Sequence, residues 1–190
     1  MMGAGIDERA ERVRAHLAES AEVKRHVAAS LAEPILSAAD LLTETFRAGG
    51  KVLLCGNGGS AADCQHLAAE FVNRLRRDFD RPGLPAIALT TDSSFLTAFA
   101  NDCGFEGVFE RQVRTLGRAG DALIGISTSG NSANVVRAVE AAHASGLRTV
   151  ALTGMSGRLG MIATVSIAVP SERTQYIQEA HLAIEHIVCD

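Results

Sequence analysis

Two polar loops and two small sets of ionisable residues carry the chemistry this sequence could do. Asn57-Gly58-Gly59-Ser60 follows an apolar run at 51–55, and Ser127-Thr128-Ser129-Gly130-Asn131-Ser132 follows an apolar run at 122–126. A buried strand that hands small, hydroxyl-rich residues to a helix N-terminus makes an anion site. The first-turn N–H groups lack partners inside the helix, and the macrodipole adds partial positive charge. Two such loops in one chain suggest a phosphorylated small molecule. Each alone is also a good turn or N-cap, because Ser, Asn and Gly suit those backbone positions. His66 and Glu70 are four residues apart, one turn above the other on a shared helix face. Gln178, His181, Glu185 and His186 are clustered on the last helical pattern. Gln178 and His186 lie roughly 80° apart around that helix at about 3.6 residues per turn. Plainer readings stand beside these: His66–Glu70 as a solvent-facing pair, His181 as a packed or interfacial histidine, Glu185 as surface charge.

The hydrophobic period predicts the elements that must position these residues. Short apolar runs at 51–55, 86–89, 122–126, 149–152 and 165–169 alternate with helical patterns at 61–75, 105–116 and 133–144. Runs apolar on both faces, separated by helices, predict a parallel sheet covered on both sides, with ligands outside the carboxyl ends of the strands. A stripe of Val13, Leu17, Val23, Val27 and Leu31 predicts a long amphipathic helix over 7–31, and a second helix follows over 35–46, with Pro34 at its start. These stripes find an economical partner in a neighbouring subunit, with the chain's own domain as the alternative. Gly146 ends the helix at 133–144, Gly157 and Gly160 mark a loop, and a closing helix runs from about 173. A single domain is expected over 1–190, with N-terminal helices over about 1–48 and the α/β core plus closing helix over 49–190.

Composition narrows the classes. Hydrophobic residues make up 47% but aromatics only 4%, so the core is aliphatic. The net charge of −4 gives no nucleic-acid footprint, and Arg74-Leu75-Arg76-Arg77, followed by Asp78 and Asp80, reads as a mixed-charge surface turn. No apolar run has transmembrane length, and residues 1–6 are neither basic nor apolar enough for an export signal. Cys55, Cys64, Cys103 and Cys189 show no CxxC spacing and read as free buried thiols in a reduced, cytoplasmic setting.

The runs CGNGGSAADCQHLAAEF, NDCGFEGVFERQV, GDALIGISTSGNSANVVRAVEAA and IQEAHLAIEH together resemble bacterial phosphoheptose isomerases of the sugar isomerase (SIS) domain group. The resemblance spans nearly the whole chain. It implies a three-layer sandwich around a five-stranded, flavodoxin-like parallel sheet, with N-terminal helices serving oligomerisation. The activity it implies is interconversion of sedoheptulose 7-phosphate and D-glycero-D-manno-heptose 7-phosphate, for bacterial surface polysaccharides, by cytoplasmic homotetramers with sites between subunits. By motif, Ser127, Thr128, Ser129 and Ser132 would hold the phosphate. Asn57, Gly58, Gly59 and Ser60 would line the sugar, and Asn101 and Asp102 would add hydrogen bonds. Glu70 and His186 match the family's acid–base pair. His66, Glu70, Gln178 and His186 match the ligands of a divalent metal, usually zinc, so Gln178 faces both substrate and metal. Gln175 departs from an aspartate found in some members, and an amide there can neither accept a proton nor carry charge. Members usually continue the closing helix for a few turns past the position of Asp190.

Two other readings compete. A non-catalytic relative that binds a replication initiator has similar phosphate loops but lacks the residues matching Glu70 and His186. An isomerase of a hexose or pentose phosphate would share the loops, which say little about sugar length.

Overall fold

The computed structural model describes residues 3–190, so residues 1 and 2 of the opening segment lie outside the described residues. The amphipathic N-terminal stretch forms α1 (Gly3–Ser30) and α2 (Ala32–Arg47). Pro34 falls in the first turn of α2, where its missing N–H leaves no helical bond unmade. Five strands follow: β1 (Val52–Gly56), β2 (Ala86–Ala88), β3 (Ala122–Ser127), β4 (Arg148–Thr153) and β5 (Val165–Ala168). They form one all-parallel sheet in the order β2-β1-β3-β4-β5, the flavodoxin-like arrangement.

Successive strand residues point to opposite faces and so divide the core in two. Val52, Leu54, Ile124, Ile126 and Leu152 pack under α2, α3 (Gly59–Val72) and α8 (Thr174–Cys189). Leu53, Cys55, Leu123 and Ala151 pack under α5 (Val108–Leu116), α6 (Ala133–Ala144) and the short α7 (Arg158–Ile162). The three-layer sandwich is therefore as expected. Burial on both faces holds for β1 and β3, whereas the edge strands β2 and β5 are partly open.

Several boundaries differ from expectation. The helix predicted over 61–75 starts two residues earlier and stops at Val72, and residues 105–107 form a 3-10 turn ahead of α5. Helix α4 (Ser93–Cys103) was not expected: its short stripe of Leu96, Phe99 and Ala100 is only partly buried against the core, and the Asp92 carboxylate caps it, accepting from the Phe95 N–H at 2.9 Å. Helix α7 lies where Gly157 and Gly160 suggested a loop.

The N-terminal stripes divide between two fates. Ile35, Ala38, Leu41 and Leu42 of α2 and Val27 of α1 are buried within their own domain. Val13 and Leu17 of α1 remain 61% and 63% exposed, as does Leu36 of α2 at 57%. Helix α1 lies on α8 through polar contacts: His16 and Ser20 bond the Glu179 carboxylate, and Arg173 reaches Glu19 at 2.6 Å. All four cysteines are free, but only Cys55 and Cys64 are buried: Cys189 is half-buried at the end of α8, and Cys103 is exposed because α4 lies on the surface. The arginine cluster behaves as read, with Arg76 on Asp78 at 2.7 Å. Among the described residues no helix is long and apolar enough to cross a membrane.

Candidate active site

Strands β1 and β3 are neighbours, with Gly56 beside Ile126, so both polar loops leave the sheet together at its carboxyl edge. Gly58 turns the first loop with φ 57, a value that favours glycine. At Gly59 a Cβ would lie 2.2 Å from Gln178 Nε2, so any side chain there displaces the Gln178 amide. The two residues predicted for one site, from α3 and α8, therefore touch.

In the second loop the Ser127 hydroxyl lies 2.9 Å from that of Ser132 and 3.4 Å from that of Ser129. The Asn131 N–H adds a bond to the Ser129 hydroxyl at 3.2 Å. These groups surround the N-terminus of α6, the geometry that receives an anion. The loop is clasped from behind: the Leu159 N–H donates to the Gly130 carbonyl and the Gly154 N–H to the Thr128 carbonyl. Thr128 is half-buried and Ser129 exposed, whereas Ser60, at the start of α3, is buried.

The acid–base residues come from α3 and α8. His66 Nε2 lies 2.9 Å from His186 Nε2, so one ring donates and the other accepts, with the rings edge to face. His66 Nδ1 is 3.9 Å from a Glu70 carboxylate oxygen, and the Glu70 side chain is 20% exposed. The plainer reading of a solvent-facing pair thus holds in part for His66, whose side chain is 40% exposed, and less for Glu70. Arg81 fixes the end of α3 by donating to the Glu70 and Phe71 carbonyls.

The donor chemistry suits a borderline divalent ion: two imidazoles, a carboxylate and an amide oxygen. Two zinc-bound nitrogens at tetrahedral angles stand about 3.3 Å apart, close to the 2.9 Å between His66 and His186. Among the described residues, however, no three His, Cys, Asp or Glu side chains are already gathered around one point. The fit thus rests on the histidine pair.

Not every predicted residue joins this group. Asn101 and Asp102 are exposed on α4 and bond one another at 2.9 Å. Gln175 is exposed in the first turn of α8. His181 is packed, as its plainer reading had it: Nε2 donates to the Thr153 carbonyl at 3.1 Å, and desolvation pushes its pKa down to about 4. Glu185 corrects the surface-charge reading. It is 1% exposed, neither carboxylate oxygen has a partner, and burial, aided by the Asp63 carboxylate, pushes its pKa up to about 8. One step along a helix turns a side chain by about 100°, so His186 faces the site while Glu185 faces the core. Sequence reasoning also passed over Asn134, a buried residue of α6 whose amide pairs with that of Asn57. Its only sequence signal was its place two residues after Ser132.

Residues 15–154 match the SIS domain family. A phosphoheptose isomerase from Roseiflexus sp. (strain RS-1) is 56% identical over 172 residues, 90% of this chain and 86% of that protein. The solved phosphoheptose isomerase of Neisseria gonorrhoeae superposes with a TM-score of 0.88 at 50% identity, covering 94% of this chain and 95% of that one. That of Francisella tularensis gives a TM-score of 0.90 at 38% identity, covering 95% and 96%. The chain belongs to the SIS domain family and, within it, to the phosphoheptose isomerases.

Proposed function

We propose that the protein interconverts sedoheptulose 7-phosphate and D-glycero-D-manno-heptose 7-phosphate, an aldose–ketose isomerisation that supplies heptose for bacterial surface polysaccharides. Kinship to phosphoheptose isomerases supports the substrate. The observation that carries the chemistry is the His66–His186 contact at 2.9 Å, with Glu70 one turn along α3.

The reaction moves one proton between adjacent carbons and one between their oxygens. In the ketose-to-aldose direction, Glu70 removes a proton from carbon 1 of the open-chain sugar as His186 protonates the carbonyl oxygen on carbon 2. The resulting enediol is neutral. Glu70 then returns its proton to carbon 2 while His186 accepts the one leaving the carbon 1 hydroxyl, so both groups end as they began. In the metal-free site His66 steadies His186 through their shared hydrogen bond. Ser127, Thr128, Ser129 and Ser132 hold the phosphate at the start of α6, and Asn57, Gly58, Gly59 and Ser60 line the sugar; Asn101 and Asp102, exposed on α4, would add contacts only by exchanging their mutual hydrogen bond for the sugar. His66, Glu70, Gln178 and His186 would hold a zinc ion, which when bound polarises the substrate carbonyl and stabilises oxyanion charge.

The assembly read with this function is a cytoplasmic homotetramer with sites shared between subunits. Exposed Val13 and Leu17 of α1, and an apolar groove between α2 and α8 lined by Leu36 and Ile187, support it as surface for a second copy. Light scattering tests this part, and a clean monomer at micromolar concentration contradicts it. The activity itself is tested by following sedoheptulose 7-phosphate by NMR with purified protein and added zinc. Appearance of the aldose bears the reading out. Absence of turnover on this substrate, alongside turnover of a hexose or pentose phosphate, overturns it.

A further inference from the structure

The two polar loops are joined by a pair of side chains that close a ring. Asn57 Nδ2 donates to Asn134 Oδ1 at 2.9 Å, and Asn134 Nδ2 donates back to Asn57 Oδ1 at 2.9 Å. Asn57 lies just past β1; Asn134 is the second residue of α6, just past β3, and is 4% exposed. Asn134 Oδ1 also accepts the Val135 N–H at 3.0 Å, anchoring its amide to the first turn of α6.

We infer that Asn134 is a positioning residue for the isomerisation: it fixes which end of the Asn57 amide meets the sugar and holds the sugar loop at a set distance from the phosphate loop. This rests on the isomerase reading above and adds to it a residue that touches no substrate.

The reasoning follows from amide geometry. In a reciprocal amide pair each group uses one N–H and its carbonyl oxygen. Turning either amide over would set oxygen against oxygen and nitrogen against nitrogen, leaving a buried donor and acceptor unmade. Asn134 cannot turn, because its oxygen is held by the Val135 N–H as well. Asn57, which is half-buried, is therefore locked in one orientation, and the pair uses only one of its two N–H groups. A single orientation presents the same donor to every substrate molecule. The same pair ties the loop after β1 to the helix whose N-terminus receives phosphate, so it sets the span between the phosphate anchor and the reacting carbons. A sugar phosphate shorter by one or two carbons then places its carbonyl out of register.

The test compares Asn134→Ala and Asn134→Ser with wild type in the intact oligomer. The serine variant retains a short polar group beside the Val135 N–H but cannot form the ring, so it serves if alanine fails to fold. Expected are a fall of about 10- to 100-fold in kcat/KM for sedoheptulose 7-phosphate, as fits the loss of two hydrogen bonds in a confined site, and a narrowed preference over fructose 6-phosphate. Inhibition by inorganic phosphate should stay within twofold, because the serine hydroxyls are untouched and the Val135 N–H keeps the Ser132 carbonyl as a partner. A merely structural role would lower the melting temperature and weaken phosphate in step with the sugar. Unchanged kcat/KM and preference, or an equal loss for phosphate, overturns the inference. If wild type turns over no sugar phosphate, the isomerase reading fails instead. Calorimetric binding of sedoheptulose 7-phosphate against phosphate then decides the role of Asn134, which falls if the variants bind both as wild type does.

Discussion

His66 and His186 stand Nε2 to Nε2 at 2.9 Å although 120 residues separate them. Helices α3 and α8 flank the same face of the sheet, and their apolar residues Leu67, Phe71, Ile177 and Ile184 lie in one core cluster. Packing of that cluster sets the helices at the distance that makes the polar pair. The active-site geometry is thus a by-product of the core beneath it.

If this pair is the heart of a metal site, zinc binding should be measurable without turnover. Titration calorimetry on chelator-stripped protein should show one zinc per chain for wild type and an affinity at least tenfold weaker for His66→Ala. Equal affinity would remove His66 from the ligand set.

Gly59→Ala should act through Gln178. The added Cβ would meet the Gln178 amide at 2.2 Å, and that flexible end must swing away. We expect about a tenfold fall in kcat/KM with little change in melting temperature. Combined with Gln178→Ala, the second substitution should cost nothing more, since contacting residues are non-additive. Strict additivity in kinetics would contradict the contact.

Ser129→Ala should raise KM several-fold and leave kcat within about twofold, because a phosphate anchor far from the reacting carbons contributes equally to ground and transition states. A pure kcat effect would argue against that role.

Stability should carry the mark of Glu185. Burial pushes its carboxyl up to about 8, from an ordinary value near 4.5. Between those values the native state keeps a proton that the unfolded chain has lost. Its contribution therefore falls as pH rises from about 4.5 to 8, by at most roughly 4 to 5 kcal/mol. Glu185→Met, similar in volume and without charge, should melt higher than wild type at pH 8.5, with the gap closing towards pH 5. His181 works in the opposite sense: its pKa is held near 4 against 6.5, so stability is lost as pH falls below 6.5. A pH-independent gap for Glu185→Met would show that the carboxyl is hydrated or paired.

The sheet was legible because its buried strands and covering helices differ in period, so Leu53 and Leu54 could be assigned to strand and Leu67 to helix without tertiary knowledge. Helix α4 escaped because its stripe of Leu96, Phe99 and Ala100 is short and only partly buried. The His66–Glu70 spacing was readable within one helix, whereas the approach of His66 to His186 depends on how two helices pack. Glu185 was misread because its neighbour is a polar site residue. Burial turns on angle around the helix rather than on adjacency. Asn134 bore no mark beyond its place two residues after Ser132, since a buried amide pair leaves no periodic signal.

The most direct test of the proposed chemistry is Glu70→Gln against wild type, with sedoheptulose 7-phosphate conversion followed by NMR and substrate binding measured by calorimetry. The amide preserves shape and removes basicity. Turnover should fall by about 10²- to 10⁴-fold while binding weakens little and the fold persists. Turnover within a few-fold of wild type would show that another group moves the proton between the two carbons.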